Sequence, residues 1–312
     1  MTGPGPGAIL PRMHDKERQD RWLVALDVDG TLLNTEFEDV VHVREQAAIR
    51  SLRAAGHVLA LCTGRNRRSV ADVVGSAGGA LDGVPQVLLN GAMVLCGDPP
   101  RLLRHAGLER EQLRRVVELF RAAGTLPMIF GTEDDGGDLL TENIEPNGVL
   151  GTYLARRRDR VGAIRMVDDL MAHLPEAALE IGTIDRLEVA APLAAAIRAE
   201  MGDSVRVVLT ESLLERGSYL WVEVYQAECG KGAGLMLLAE ALGVPRERTL
   251  AVGDNYNDLD MFTAAGHSVA MGNAPPEVRA AADRTAPHVA DHGAAVICEE
   301  IAAGRYPQAR GR

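Results

Sequence analysis

Residues 22–32 read WLVALDVDGTL, an apolar run that ends in two aspartates, a glycine and a threonine before the final leucine. Residues 22–26 have the length and apolar character of a buried strand, and Gly30 permits a sharp turn after it. Burying one carboxylate is costly, and a second carboxylate close by raises the cost through mutual repulsion. Asp27 and Asp29 therefore indicate that this strand end binds a divalent cation or carries out chemistry.

The composition is that of a globular protein, with 46% hydrophobic residues, 25% charged residues and a net charge of −11 over 312 residues. Because no basic stripe is interleaved with aromatic residues, we expect no nucleic-acid partner. No apolar run reaches the ~20 residues that span a bilayer, and the first twenty residues lack the apolar core of a signal peptide. Four scattered cysteines without metal-ligand spacing favour a reduced, cytoplasmic protein with no membrane partner.

Buried strands alternate with helices at both ends of the chain, which predicts a parallel sheet wound with helices. The expected strands of this core are 22–26, 57–61, 87–91, 249–252 and 268–271. The expected helices of this core are 40–54, one that ends near residue 76, 232–241 and 276–282.

The middle of the chain has a mixed pattern with polar loops. Helices are expected there over 109–123, 166–173 and 192–201, and strands over 187–190, 205–209 and 219–225. We therefore predict an α/β fold: a doubly wound parallel sheet with an inserted α+β cap domain. The predicted domains are a flexible N-terminal tail (1–20), a catalytic core (21–92 and 227–312) and the cap (93–226).

Polar side chains follow the predicted core strands where each strand ends, and in open α/β sheets function gathers at that edge. They are Asp27 and Asp29, then Thr63, Asn90, Asp254 and Asn273, with Lys231 at the start of the returning helix. This rim suits a metal-assisted phosphoryl transfer, because it combines three acids with a hydroxyl group and an ammonium group.

A carboxylate that attacks a phosphate monoester approaches an anion, so a counter-charge is needed. Mg²⁺ held by Asp27 and Asp254 would supply it, and Lys231 would balance charge on the nucleophile and the phosphate. Thr63 would donate to phosphate oxygens. Asp29 is placed to protonate the leaving oxygen and then to deprotonate the water that hydrolyses an aspartyl-phosphate.

Four motifs in order make the chain resemble a phosphatase of the haloacid dehalogenase (HAD) superfamily, of the Cof-type subfamily (HAD-IIB). They are Asp-Val-Asp-Gly-Thr-Leu at 27–32, Thr-Gly-Arg at 63–65, Lys-Gly at 231–232 and Gly-Asp-Asn-Tyr-Asn-Asp at 253–258. Asn-Gly-Ala at 90–92 and Met-Gly-Asn-Ala at 271–274 match accessory signatures of the same subfamily. The resemblance covers about residues 21–300.

The resemblance implies a role for each matching residue. Asp27 would be the nucleophile, and Asp29 the acid and base, with its backbone carbonyl also on the metal. Asp254 would be a metal ligand and Asp258 a supporting acid near the metal. The residues that would contact phosphate or substrate are Thr63, Gly64, Arg65, Asn90, Lys231 and Asn257. Arg65 is left between a substrate contact and a surface charge, and Asp260 is expected to be an exposed helix charge.

The leading functional hypothesis is a Mg²⁺-dependent phosphomonoesterase that acts on a small phosphorylated metabolite, with sugar phosphates favoured by the resemblance. A phosphosugar mutase on the same core remains open, because it needs only an aspartyl-phosphate that outlives substrate reorientation. A phospho-acceptor signalling module uses a similar acidic cluster, but the long insert and Asp29 both favour turnover. A monomer or a homodimer is expected.

Overall fold

The protein is described here from a computed structural model, which covers residues 20–34, 40–131, 139–146, 148–161, 164–212, 214 and 217–306. All of the predicted N-terminal tail except Asp20 lies outside these described residues. Every helix within them is too short or too polar to cross a lipid bilayer.

The first part of the core alternates strands and helices and ends in a hairpin. Its elements are β1 (Leu23–Leu26), α1 (Val43–Ala54), β2 (Val58–Cys62), α2 (Arg67–Ser76), β3 (Gln86–Leu88), β4 (Met93–Cys96) and β5 (Arg101–His105). A short 3-10 turn, Leu89–Gly91, lies between β3 and β4.

The middle part has its own strands and helices. They are β6 (Leu108–Glu109), α3 (Arg110–Ala122), β7 (Met128–Phe130), β8 (Leu139–Glu142), α4 (Gly148–Val161), β9 (Ile164–Val167), β10 (Ala177–Ala178), β11 (Glu180–Arg186), α5 (Leu187–Met201), β12 (Val205–Glu211) and β13 (Tyr219–Gln226).

The last part returns to the alternating pattern. Its elements are α6 (Lys231–Leu242), β14 (Thr249–Gly253), α7 (Leu259–Ala264), β15 (His267–Ala270), α8 (Pro276–Ala281), β16 (Arg284–Thr285) and α9 (Gly293–Ala302). A 3-10 turn, Tyr256–Asp258, precedes α7, and another, Val289–Asp291, precedes α9.

The core sheet has eight strands in the order β16-β15-β14-β1-β2-β3-β4-β5. The strands from β16 to β3 run parallel, and β4 and β5 add an antiparallel edge.

Side chains of a strand alternate between the two faces. On β1, Val24 and Leu26 pack in one apolar cluster with α1, α2 and α9, whereas Leu23 and Ala25 pack in another with α6, α7 and α8. Helices thus cover both faces, which confirms the predicted α/β, doubly wound core.

The middle part forms a six-stranded sheet in the order β12-β13-β11-β7-β8-β9, in which only the β8–β9 pair is parallel. Helices α3 and α5 pack on it around an apolar cluster that includes Phe120, Leu193 and Val222. This is the α+β character expected of the insert.

Two strands that the prediction assigned to the insert pair with the core sheet instead, because β4 hydrogen-bonds to β3 and β5 to β4. We infer that the insert begins after β5, near Ala106, and ends before α6. Its two connections lie side by side, since the Cys229 Sγ contacts the Ala106 carbonyl oxygen at 3.9 Å.

Two predictions within the insert are wrong. Residues 187–190 are the first turn of α5 rather than a strand, because the buried positions Ala190, Leu193, Ala194 and Ile197 follow a helical spacing. The helix predicted over 166–173 is replaced by β9, which pairs with β8, and a 3-10 turn at Leu170–His173.

Candidate active site

The carboxyl ends of three adjacent parallel strands bring the predicted acids and the threonine together. Asp27 follows β1, Thr63 follows β2 and Asp254 follows β14, and β1 pairs with both of the other strands. Backbone hydrogen bonds continue the sheet past its ends, from Asp27 N to Val252 O at 2.9 Å and from Thr63 N to Val87 O at 2.9 Å. These residues are therefore fixed by the sheet itself.

Lys231 bridges two of the acids from the first position of α6. Its Nζ lies 2.8 Å from Asp27 Oδ1 and 2.7 Å from Asp258 Oδ1, and its side chain is completely buried. Burial opposes the charged ammonium, but the carboxylates of Asp258 and Asp27 outweigh it and raise the pKa of Lys231 above its usual value. Lys231 is therefore a permanent cation inside the site.

Burial raises the pKa of Asp27 to about 7, while the Lys231 ammonium acts against the rise and the nearby carboxylates add to it. Asp27 is hydrogen-bonded by Lys231 through Oδ1 alone, as far as the described residues extend. The second oxygen is thus left for a ligand or a reacting group.

Asp258 orients the neighbouring acid through the backbone. Its Oδ2 accepts the N–H groups of Asp254 and Asn255 at 2.9 and 3.0 Å, while its Oδ1 accepts from Lys231. Both oxygens are therefore occupied, which suits Asp258 to supporting the loop rather than to direct coordination of an ion.

The carboxylate of Asp254 is held from two sides. Thr31 Oγ1 donates to its Oδ1 at 3.2 Å, and Asn273 Nδ2 donates to its Oδ2 at 3.1 Å. The turn that carries Thr31 passes so close that a Cβ at Gly30, whose φ is +82°, would lie 2.1 Å from Asp254 Oδ2. Only glycine allows this approach.

The acidic cluster fits a hard divalent cation. One carboxylate oxygen from each of Asp27, Asp254 and Asp258 lies within 4.8 Å of the others, and all three residues are buried. Three carboxylates face the single ammonium of Lys231, so the buried group carries an excess negative charge that a divalent ion would offset. Oxygen donors of this kind suit Mg²⁺. The fourth predicted ligand, Asp29, was expected to bind through its backbone carbonyl, and its side chain is paired with Arg65.

Arg65 and Asp29 form a bidentate ion pair at the rim. Arg65 Nη2 lies 2.6 Å from Asp29 Oδ1 and Arg65 Nε lies 2.9 Å from Asp29 Oδ2. The Arg65 side chain is 7% exposed and that of Asp29 is 22% exposed. Arg65 is thus a buried member of the site, and the surface-charge alternative is wrong.

The loop after β2 is closed by a hydrogen bond from Arg65 N to Thr63 Oγ1 at 3.0 Å. The hydroxyl hydrogen of Thr63 is therefore available to donate elsewhere. Gly64 keeps space for Asn90, because a Cβ at Gly64 would lie 3.3 Å from Asn90 Nδ2.

Asn90 connects the core to the insert. Its backbone is left-handed, with φ of +46°, and its Nδ2 donates to Tyr225 Oη at 2.9 Å and to Glu223 Oε1 at 3.2 Å. Its Oδ1 accepts from Asn257 Nδ2 at 3.1 Å. Burial raises the pKa of Glu223, although its hydrogen bonds from Tyr225 and Thr210 act to lower it.

Strand β12 of the insert is anchored to the core at two points. Arg206 Nη2 lies 2.7 Å from Asp260 Oδ2, and Asn255 exchanges two hydrogen bonds with the backbone of Glu211, both at 3.2 Å. The Asp260 carboxylate also accepts the Gly232 N–H at 3.2 Å, so the prediction of an exposed helix charge is wrong. The partner of Asp260, Arg206, lies far away in sequence, so the pattern around Asp260 could not predict this ion pair.

A cavity of about 840 Å³ opens between the two sheets. Its core side includes Asn90, Lys231 and Asn257, and its insert side includes residues of β12 and β13 such as Val208 and Leu220. Lys231 lines this cavity, whereas the three aspartates of the cluster do not, and the cavity is large enough for a small metabolite.

Asn273 was expected at this rim, and it holds Asp254 there. Several other residues of the site lie outside the predicted set. Thr31 also holds Asp254, and Glu223, Tyr225 and Arg206 bring the insert to the rim. Thr31 stands inside a quoted motif, so the motif contained a signal for it. The sequence contained no signal for the insert residues, because their approach depends on how the second sheet packs on the core.

Comparison with known proteins agrees with this fold. Residues 24–297 match the family model of haloacid dehalogenase-like hydrolases. The chain is 28% identical over 285 residues to the 5-amino-6-(5-phospho-D-ribitylamino)uracil phosphatase YitU of Bacillus subtilis, which covers 89% of this chain and 97% of that protein. It is 25% identical over 289 residues to the phosphatase YwpJ of the same organism, which covers 89% and 99%. The fold resembles that of the HAD subclass IIB sugar phosphatase BT4131, with a TM-score of 0.72, 19% identity and coverage of 91% and 100%.

Proposed function

The chain belongs to the haloacid dehalogenase-like hydrolases, and we propose that it is a Mg²⁺-dependent phosphomonoesterase that works through an aspartyl-phosphate on Asp27. The observation that carries the proposal is the position of Asp27. It is buried at the end of β1, with one oxygen bound by the Lys231 ammonium and with Asp254 beside it.

Asp27 and Asp254 would hold the magnesium ion, which would offset the repulsion between a carboxylate and a phosphate monoester. Lys231 keeps Asp27 oriented and adds a second positive charge. The Thr63 hydroxyl and the Asn257 side chain would bind phosphate oxygens.

In the first step, an oxygen of Asp27 attacks phosphorus, the bond from phosphorus to the ester oxygen breaks, and the alcohol leaves with a proton from Asp29. In the second step, Asp29 accepts a proton from water, whose oxygen attacks phosphorus and releases inorganic phosphate and the Asp27 carboxylate. The two hydrogen bonds from Arg65 orient the Asp29 carboxyl group, which carries a proton at the start of the first step and is ionised at the start of the second.

The substrate proposed is a small phosphorylated metabolite, with sugar phosphates favoured. The cavity between the sheets supports a small ligand, and the insert would exclude a macromolecular surface from Asp27. The relative YitU is named for a phosphate ester on a ribityl chain. The four cysteines, all buried and free, fit a cytoplasmic enzyme.

The test is release of inorganic phosphate from p-nitrophenyl phosphate, followed by a panel of metabolite phosphates. Wild-type protein should turn over with Mg²⁺ and stop in excess EDTA. Asp27→Asn should abolish turnover with an unchanged circular dichroism spectrum, and Asp72→Asn, on the exposed surface of α2, is the matched control. Turnover by Asp27→Asn at the wild-type rate would overturn the proposal.

The same experiments separate the two alternatives. A mutase converts one sugar phosphate into another without releasing phosphate, so product analysis would identify it. A phospho-acceptor module gives a stable phosphoprotein without turnover.

A further inference from the structure

We propose that His42, Glu45 and His292 form a second metal site, built for a borderline divalent transition-metal ion such as Zn²⁺. The site lies where α1 and α9 begin, because His42 is the residue before α1, Glu45 is in its first turn and His292 immediately precedes α9. The proposal does not depend on the function proposed above.

The donor atoms are already gathered. His292 Nδ1 lies 2.8 Å from Glu45 Oε1, and His42 Nδ1 lies 3.5 Å from Glu45 Oε2. One donor atom from each of the three residues lies within 4.8 Å of the other two. Separations of about 3–3.5 Å between donors are those that a tetrahedral ion with bonds of about 2.0–2.2 Å requires.

An unpartnered carboxylate oxygen points to a ligand at this place. The Glu45 side chain is only 5% exposed, and its Oε2 is buried with no hydrogen-bond partner among the described residues. A buried carboxylate oxygen without a partner is costly, and an ion bound between it and the two imidazoles would remove that cost.

The two imidazole rings pack against each other next to Glu45. Their rings are stacked, with centroids 4.5 Å apart and an angle of 30° between the planes. In this structure His42 Nδ1 accepts a long hydrogen bond of 3.2 Å from Arg44 N. An ion bound through that nitrogen would replace this bond, and an ion bound by His292 would replace the proton shared with Glu45.

The donor chemistry selects the ion. Two imidazole nitrogens and one carboxylate suit Zn²⁺ and its first-row neighbours, whereas Mg²⁺ prefers oxygen donors. This cluster and the aspartate cluster around Asp27 would therefore take different metals. The His42 side chain is 59% exposed, which gives the ion an access path, and three protein ligands leave a fourth position for water.

The variants that test the site keep the backbone features of the residues they replace. Asparagine is a good helix N-cap, so His42→Asn preserves the start of α1. Asparagine also tolerates a left-handed backbone, so His292→Asn fits the φ of +61° at that position. His288→Asn is the matched control. His288 is exposed and lies outside the cluster, but like His42 it caps a helical turn, Val289–Asp291, because its Nδ1 accepts a hydrogen bond from Ala290 N.

The experiment adds one equivalent of Zn²⁺ to metal-stripped full-length protein in saturating Mg²⁺, which protects the aspartate cluster. Side-chain ¹H–¹⁵N spectra report on the eight histidines. We expect the signals of His42 and His292 alone to move to metal-bound positions, and the melting temperature to rise.

His42→Asn, His292→Asn and Glu45→Gln should each weaken zinc binding in calorimetry by more than the roughly 10–100-fold that loss of an outer-shell partner costs. His288→Asn should bind as wild type does. Unchanged signals of His42 and His292 in the wild-type protein, or equal zinc affinity in all variants, would show that the cluster is only a set of hydrogen-bonded side chains and would overturn the proposal.

Discussion

Arg65 binds Asp29 through two parallel hydrogen bonds, from Nη2 to Oδ1 at 2.6 Å and from Nε to Oδ2 at 2.9 Å. This geometry fixes the direction of the Asp29 carboxyl group. Asp29 is therefore held in one orientation before any substrate arrives.

The first prediction concerns Asp29→Asn. With p-nitrophenyl phosphate the leaving group needs no proton, so the first step should proceed while the second loses its base. We expect a burst of nitrophenolate, close to one equivalent, followed by turnover slowed by about 10²–10⁴-fold. Rapid acid quench with labelled substrate should recover phosphorylated protein, and Asp27→Asn should give none. Wild-type turnover with no accumulated phosphoprotein would contradict this role for Asp29.

The second prediction concerns the ammonium between Asp27 and Asp258. Lys231→Met leaves two buried carboxylates without their counter-charge, and the free energy of unfolding of the metal-free protein should fall by about 3–5 kcal/mol. Adding Asp258→Asn removes one of those charges and should restore part of the loss. Urea denaturation in EDTA measures both. Additive losses in the double variant would mean that the contacts at 2.8 and 2.7 Å contribute no coupling.

The third prediction concerns pH. Burial raises the pKa of Asp27 from 3.8 to about 7. Between these values the folded metal-free protein keeps a proton that the unfolded chain has lost. The stability from this group is therefore present at low pH and is lost as pH rises to about 7.

Magnesium binding needs the ionised carboxylate, so a fixed Mg²⁺ concentration should raise the melting temperature more at about pH 8 than at about pH 5. Scanning calorimetry with and without Mg²⁺ measures this difference. In Asp27→Asn the pH dependence of the Mg²⁺ effect should flatten, since the titrating ligand is gone. An equal Mg²⁺ effect in wild-type protein at both pH values would contradict the assignment of Asp27 as the titrating group.

The fourth prediction separates the backbone of Asn90 from its side chain. Asn90→Gly keeps the left-handed conformation but removes the bonds to Tyr225 and Glu223, whereas Asn90→Ala also strains the backbone. The free energy of unfolding of Asn90→Ala should therefore be lower than that of Asn90→Gly by about 1 kcal/mol. Both should raise KM more than they lower kcat, because the contact between core and insert is lost. Equal stability of the two variants would mean that the left-handed backbone carries no strain.

The alternating core was predictable because its strands are short apolar runs that end in polar turns, as 22–29 shows most clearly. That the hairpin of β4 and β5 belongs to the edge of the core sheet could not be predicted. An antiparallel strand pair next to a parallel sheet has the same sequence pattern as a strand pair in the insert. Leu187 illustrates the limit within the insert. Four residues of alternating pattern cannot separate a strand from the first turn of a helix.

Within the candidate site, motif spacing was enough to bring Asp27, Thr63, Lys231 and Asp254 to one rim, because parallel strands end at a common edge. The pairing of Arg65 with Asp29 and of Asp260 with Arg206 depends on side-chain directions between elements far apart in sequence. Spacing along the chain contains no information about such directions.

The contact between Ala106 and Cys229 means that the chain leaves and re-enters the core at almost the same point in space. All eight strands of the core sheet lie outside the segment between these two residues. A shortened gene that joins residue 106 to residue 229 through a brief turn would therefore encode an intact sheet with its acidic rim. In evolutionary terms, one pair of neighbouring junctions would be enough to exchange the covering module, and the changes would fall on the core residues that now contact it, such as Asn90 and Asp260.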